Sequence, residues 1–151
     1  MTTSPPYHLH QSLGYQLSLA ARIQEKRLDD GLKTLGLTRI SWCVLLAVGV
    51  ENLEHPSEIA AFVGIDRTAA SRTLKSMETA GMIARQGGIS DKRTTTVVIT
   101  SRGHDLLRQG IPMAEANNKI MSDNLKTAEM RQLKSLLAKL HAGQNIELAK
   151  F

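Results

Sequence analysis

Apolar side chains recur at helical spacing through most of this chain and give way to a β-branched run at one place past its middle. Leu9, Leu13, Leu17, Ala20, Ala21 and Leu28 predict a first helix that begins near Tyr7, after Pro5 and Pro6, and runs to about Leu35, where Gly36 ends it. Thr38 can cap a second helix over 40–50. Ile40, Trp42, Val44, Leu45, Leu46, Ala47 and Val48 make that helix apolar on nearly all sides, so it is the expected central buried element. Pro56 suits the first turn of a third helix, with Glu58 near its positive end, Ile59, Ala60 and Val63 turned inward and Gly64 as its stop. Asp66 caps a fourth helix over 67–80 with Ala70, Leu74 and Met77 as its buried stripe, and Gly81 closes it.

The period then changes. Met82 to Gln86 reads as a short strand, and Thr94 to Ile99, β-branched throughout, as the return strand. Between them lies a charged, turn-rich tip longer than a tight hairpin requires. Thr100 or Ser101 starts a fifth helix, which Pro112 is expected to kink or interrupt and which Asn117 and Asn118 weaken. Thr127 can cap a last helix carrying Met130, Leu133, Leu136, Leu137 and Leu140. The expected order is α-α-α-α-β-β-α-α, a mainly α fold with a small β-wing.

Two short helices joined by Gly64-Ile65-Asp66 make a helix-turn-helix. The outward face of its second helix carries Arg67, Thr68, Ser71, Arg72, Lys75 and Thr79. A helix of this kind fits the major groove of B-DNA. Thr68 and Ser71 permit close approach, Arg67 and Arg72 can reach guanine edges or phosphates, and Lys75 suits a phosphate as a point charge. The tip reads Gly88-Ile89-Ser90-Asp91-Lys92-Arg93. An Arg on an extended loop can enter a narrow minor groove, and Asp91 can hold the Arg93 guanidinium through paired hydrogen bonds.

The charge distribution sharpens this reading. The formal net charge is +5, but the excess sits in one segment. From Arg67 to Arg102 there are seven basic residues against two acids, whereas residues 1–66 hold five against seven. Concentrated positive charge marks a polyanionic partner. With 151 residues the chain suits one continuous domain with one core. No apolar run approaches the ~18 residues of a membrane span, and no secretion signal is visible, so a cytoplasmic setting is expected. Cys43 is the only cysteine, and the five histidines are scattered, which leaves neither a disulfide nor zinc-type spacing. No nucleophile elbow, phosphate loop or carboxylate pair is present, so an enzyme is not expected, and no cofactor is implied. A protein-binding module of the same build would lack the basic helix and wing.

The run Leu37-Thr38-x-x-x-Trp42-x-Val44-Leu45 is followed by Ser57-Glu58-Ile59-Ala60 and by Asp66-Arg67-Thr68-Ala69-Ala70-Ser71-Arg72-x-Leu74. Then come Gly81-Met82-Ile83, Asp91-Lys92-Arg93 and Ile99-Thr100-x-x-Gly103. This succession resembles the MarR family of bacterial transcription regulators over nearly the whole chain. The resemblance implies a winged helix-turn-helix with dimerisation helices at both termini, at 1–36 and 101–151, around a DNA-binding region at 37–100. It implies a homodimer on a pseudo-palindromic duplex operator. Arg67, Thr68, Ser71, Arg72 and Lys75 would meet the major groove, and the wing at 87–93, with Asp91, Lys92 and Arg93, the minor groove. The terminal helices are amphipathic in their own right, and their stripes need cover from each other or, most simply, from a two-fold partner.

The resemblance further implies a repressor released by a small aromatic or anionic effector. Tyr15, Gln16 and Trp42 are the candidate ligand contacts, although core packing is the stronger expectation for Tyr15 and Trp42. Redox control is disfavoured, because a buried Cys43 without a second cysteine is inert.

Overall fold

The structure, a computed structural model, describes residues 6–87 and 95–144. A 3-10 turn at Leu9–Gln11 leads into α1 (Leu13–Lys33), followed by α2 (Arg39–Gly49), α3 (Pro56–Val63) and α4 (Arg67–Thr79). The antiparallel strands β1 (Ile83–Gln86) and β2 (Thr96–Ile99) precede α5 (Ser101–Ser122) and α6 (Thr127–His141). The order is the expected one, and the fold is a winged helix.

The second helix begins at a reciprocal cap. Thr38 Oγ1 accepts the N–H of Ser41 (3.2 Å), and Ser41 Oγ accepts the N–H of Thr38 (2.9 Å). Its all-round apolar surface is then covered by α1, α3, α4, α5 and β2. Trp42, Val44, Leu45, Ala47 and Val48 are buried there, joined by Leu32, Ile59, Leu74, Ile83 and Val97 from the surrounding elements. Each large side chain so buried stabilises by about 1.5–3 kcal/mol.

The two strands pair Ile83 with Ile99 and Arg85 with Val97. Because side chains alternate along a strand, Ile83, Arg85, Val97 and Ile99 share one face. The first, third and fourth of these pack inward, which leaves Arg85 at the outer end of an otherwise apolar face. The Val97 N–H donates to the Glu54 carbonyl (2.8 Å) and ties the sheet to the loop before α3.

Three boundaries depart from the sequence expectation. The first helix does not run unbroken from Tyr7. Ser12 adopts an extended conformation and caps α1 by accepting the N–H of Tyr15 (3.3 Å), which separates the 3-10 turn from the helix proper. Pro112 does not interrupt the fifth helix, which is continuous to Ser122. Its turns are held on both sides of the proline. Gly110 lies beneath the Trp42 ring, and Asn117 is buried rather than weakening the helix. Asn117 Oδ1 accepts from Arg27 Nε (3.0 Å), and Nδ2 donates to the Gln24 carbonyl (3.1 Å). Tertiary bonds of this kind override a local propensity. Finally, Thr127 is the first helical residue of α6 rather than its cap. Lys126 holds the cap position, and its N–H donates to Glu129 Oε2 (2.7 Å).

Among the described residues, no helix is long and apolar enough to cross a membrane. Cys43 is half-buried, and burial raises its thiol pKa against a smaller opposing pull from Arg39.

The first turn of α5 meets the sheet at Gly103, where an added Cβ would lie 2.3 Å from the Met82 carbonyl oxygen. Backbone cannot yield there as a flexible side chain can. Gly103→Ala should therefore cost about 1–3 kcal/mol in urea denaturation. An unchanged midpoint would mean that the helix can withdraw from the sheet.

Candidate nucleic-acid interface

The helix-turn-helix is built from α3 and α4. Gly64 closes α3 in the left-handed conformation (φ 80°, ψ 39°), where a residue with a Cβ is strained. Asp66 then caps α4, its Oδ1 accepting the N–H of Ala69 (2.7 Å). Ile65 and Ala70 are both buried on either side of that cap, in the positions of a hydrophobic staple. Ala70, Leu74 and Met77 anchor α4 on the core.

With that stripe inward, Arg67, Thr68, Ser71, Arg72, Lys75 and Thr79 are all exposed on the outer side. Among the described residues, Arg67, Arg72 and Lys75 form no ion pair. Cations elsewhere behave differently. Arg39 is paired with Glu25 and Asp29, Lys26 with Asp30, and Lys119 with Asp123. The three cations on the outer side of α4 thus stand without the carboxylate partners that these others have.

Beside α4 runs a groove of about 730 Å³, walled by the start of α3, the exposed side of α4 and the stem of the hairpin. His55, Ser57, Arg67, Ser71 and Arg85 line it. Arg85 is clamped from α4. Its Nε and Nη2 donate to Glu78 Oε2 (2.8 and 2.5 Å), and its backbone N–H donates to Oε1 (3.3 Å). These bonds hold the Glu78 carboxyl below the usual range, with Arg85 as the principal cause. A carboxylate with a lowered pKa keeps its bonds above the ordinary carboxylate range. It releases them as the pH falls through the lowered value.

The wing residues Asp91, Lys92 and Arg93 lie outside the described residues. The candidate ligand contacts are dispersed. Trp42 is a core residue, 4% exposed, with its ring over Gly110. Tyr15 packs on His10 with ring centroids 4.6 Å apart, under the Arg22 guanidinium. Gln16 lines a crevice between α1 and α5 with Ile23, Arg27 and Ile120. Among the described residues, no group of three or more His, Cys, Asp or Glu side chains could hold a metal ion.

Sequence reasoning missed Glu78, His55, Ser57 and Arg85. The strand alternation already carried a signal for Arg85, which stands two residues from Ile83. The helical period carried one for Glu78, which stands seven residues from Ser71 and four from Leu74.

Residues 35–94 match the model of the MarR family. Over this stretch the chain is similar to the MarR family. The match begins in the turn between α1 and α2 and stops short of β2, and so takes in the whole helix-turn-helix. Solved MarR-type structures share the fold over nearly the full length. A structure of BpsR from Bordetella bronchiseptica, described for regulation of its DNA binding by 6-hydroxynicotinic acid, is 20% identical. It superposes with a TM-score of 0.79 over 93% of this chain and 100% of that one. A mutant MarR from E. coli complexed with operator DNA is 23% identical, with a TM-score of 0.75 over 85% and 92% of the two chains. The MarR family protein Rv2887 of Mycobacterium tuberculosis, in complex with salicylic acid, is 25% identical, with a TM-score of 0.64 over 85% and 96%. The MarR family is one of transcriptional regulators rather than enzymes, and this chain carries its winged-helix architecture.

Proposed function

We propose that this chain is a MarR-family regulator, a homodimeric, cytoplasmic repressor that binds a pseudo-palindromic duplex operator and is released by a small aromatic or anionic effector. The observation that carries the DNA reading is the outer face of α4. Three cations stand there without an ion pair among the described residues, beside two short hydroxyl side chains, on a helix whose other side is locked into the core. Among the described residues, none of these three has an ion pair to give up on meeting DNA. In this reading Arg67, Thr68, Ser71, Arg72 and Lys75 enter the major groove. Asp91, Lys92 and Arg93 of the wing reach the adjacent minor groove. The E. coli MarR solved with operator DNA supports the assignment through its shared fold.

Dimerisation is supported by what the monomer leaves uncovered. Residues 131–144 are all exposed, and α6 presents Leu133, Leu136, Leu137 and Leu140 along one stripe. Leu13, Leu17 and Ile23 of α1 and Ile120 of α5 are exposed as well, and Leu136 and Ile23 remain 49% and 48% accessible. Apolar area of this extent marks an interaction surface. A second copy, packing the segments at 1–36 and 101–151 on their equivalents, covers it with closed two-fold symmetry. The segment at 37–100 then presents one recognition helix and one wing per half-site. Effector release is supported by the similar proteins solved with salicylic acid or described with 6-hydroxynicotinic acid.

Binding sites selected from random duplex DNA should contain paired half-sites roughly 10 bp apart. On such a site, Lys75→Ala should lower affinity for all sequences and reduce the salt slope by about one unit. An unchanged slope would remove Lys75 from the phosphate contacts. Truncation before Thr127 should convert the dimer to monomers or aggregates in sedimentation. A soluble, stable dimer would place the interface elsewhere. A panel of small aromatic acids, salicylic and 6-hydroxynicotinic acids among them, should contain a compound that raises Tm and weakens operator binding. An inert panel would strip the effector from this reading.

A further inference from the structure

We propose that Arg85 is a phosphate-binding residue of the DNA interface and that Glu78 is its positioning residue, together seating one strand of the duplex backbone in the groove between α3, α4 and the wing stem. The inference rests on the DNA-binding reading and adds a contact outside both the recognition helix and the wing tip.

Strand alternation turns Arg85 to the inner face of the hairpin, at its outer end, where the apolar partners Ile83 and Val97 stop. Its side chain therefore lies over the groove rather than on the solvent side of the wing, and it forms one wall there. Arg67 and the Ser57 and Ser71 side chains line the same groove. No carboxylate is among the groove's described lining residues. Two cations with hydroxyl donors around an acid-free groove form the donor set that holds a nucleic-acid backbone.

Glu78 supplies the geometry. A guanidinium has five N–H donors in a rigid fork. Glu78 takes one from Nε and one from Nη2, and it also takes the backbone N–H of Arg85. The remaining edge of the fork is left to face an anion, and the side chain has little rotamer freedom left to lose on binding. A lysine in this place would keep the charge but not the fork. Arg67, Ser71, Leu74 and Glu78 follow one another at helical spacing, so the residue that clamps Arg85 shares a single rigid helix with Arg67 and Ser71 of the groove.

A carboxylate that merely braced the stem makes the opposite prediction from one that positions a phosphate contact. Removing a negative charge near DNA should tighten binding if nothing else changes. If Glu78 positions Arg85, Glu78→Gln should instead weaken binding several-fold despite the lost repulsion. Arg85→Gln should weaken it by about ten-fold on all sequences and reduce the salt slope by about one unit. Arg85→Lys should keep most of the slope and lose part of the affinity. Adding Glu78→Gln to Arg85→Gln should cause no further loss, because the first acts through the second.

These affinities are to be measured by fluorescence anisotropy on a selected operator, with Tm and sedimentation recorded for each full-length variant. Tighter binding by Glu78→Gln, or an unchanged affinity and slope in a folded, dimeric Arg85→Gln, would overturn the proposal while leaving the DNA-binding reading intact. A wild-type dimer that bound no duplex would remove both.

Discussion

The structure depends on the covering of α2. A helix that is apolar on nearly every side cannot lie on a surface, so other elements must close around it on all sides. In this chain α1, α3, α4, α5 and the second strand do so. Their arrangement about α2 sets the angle of the recognition helix, the direction of the hairpin and the close approach of α5 at Gly103 and Gly110. Anything that changed the girth of α2 would be felt at all of them together, because a close-packed interior transmits strain.

The candidate DNA surface is a by-product of that packing, since α4 has one side committed to the core. Once Ala70, Leu74 and Met77 are buried, the 3.6-residue period leaves Arg67, Arg72 and Lys75 no choice but to face outward. The cap at Asp66 and the left-handed turn at Gly64 bring the start of α4 sharply round from the end of α3. The groove-forming residues come from three separate elements, and the clamp between Glu78 and Arg85 joins two of them. Ion pairs occur on α1, α2 and α5, whereas Arg67, Arg72 and Lys75 on the outer side of α4 form none among the described residues.

A second polar device holds the long helices together. Asn117 sits in the α1–α5 contact and bonds to both Gln24 and Arg27. A buried amide must find partners or lose stability, so these bonds fix the register of the two helices more tightly than apolar contacts would. They also help α5 to continue past Pro112, with the Trp42–Gly110 contact on the other side of the proline.

The element order, the central place of α2, the caps at Thr38 and Asp66, and the outward face of α4 were legible in the residues alone. Each is a local matter of period or capping chemistry, decided within a few positions of chain. The MarR resemblance, carried by short runs from Leu37 to Gly103, was legible in the same way, and the match over residues 35–94 agrees with it. The unbroken course of α5, the burial of Asn117, the seating of the Trp42 ring against Gly110 and the meeting of Glu78 with Arg85 were not. Those outcomes join residues seven to ninety-three positions apart, or set a helix-breaking residue against contacts from another element. Local propensity is silent about such partners, and only the closing of the elements around α2 brings them within reach.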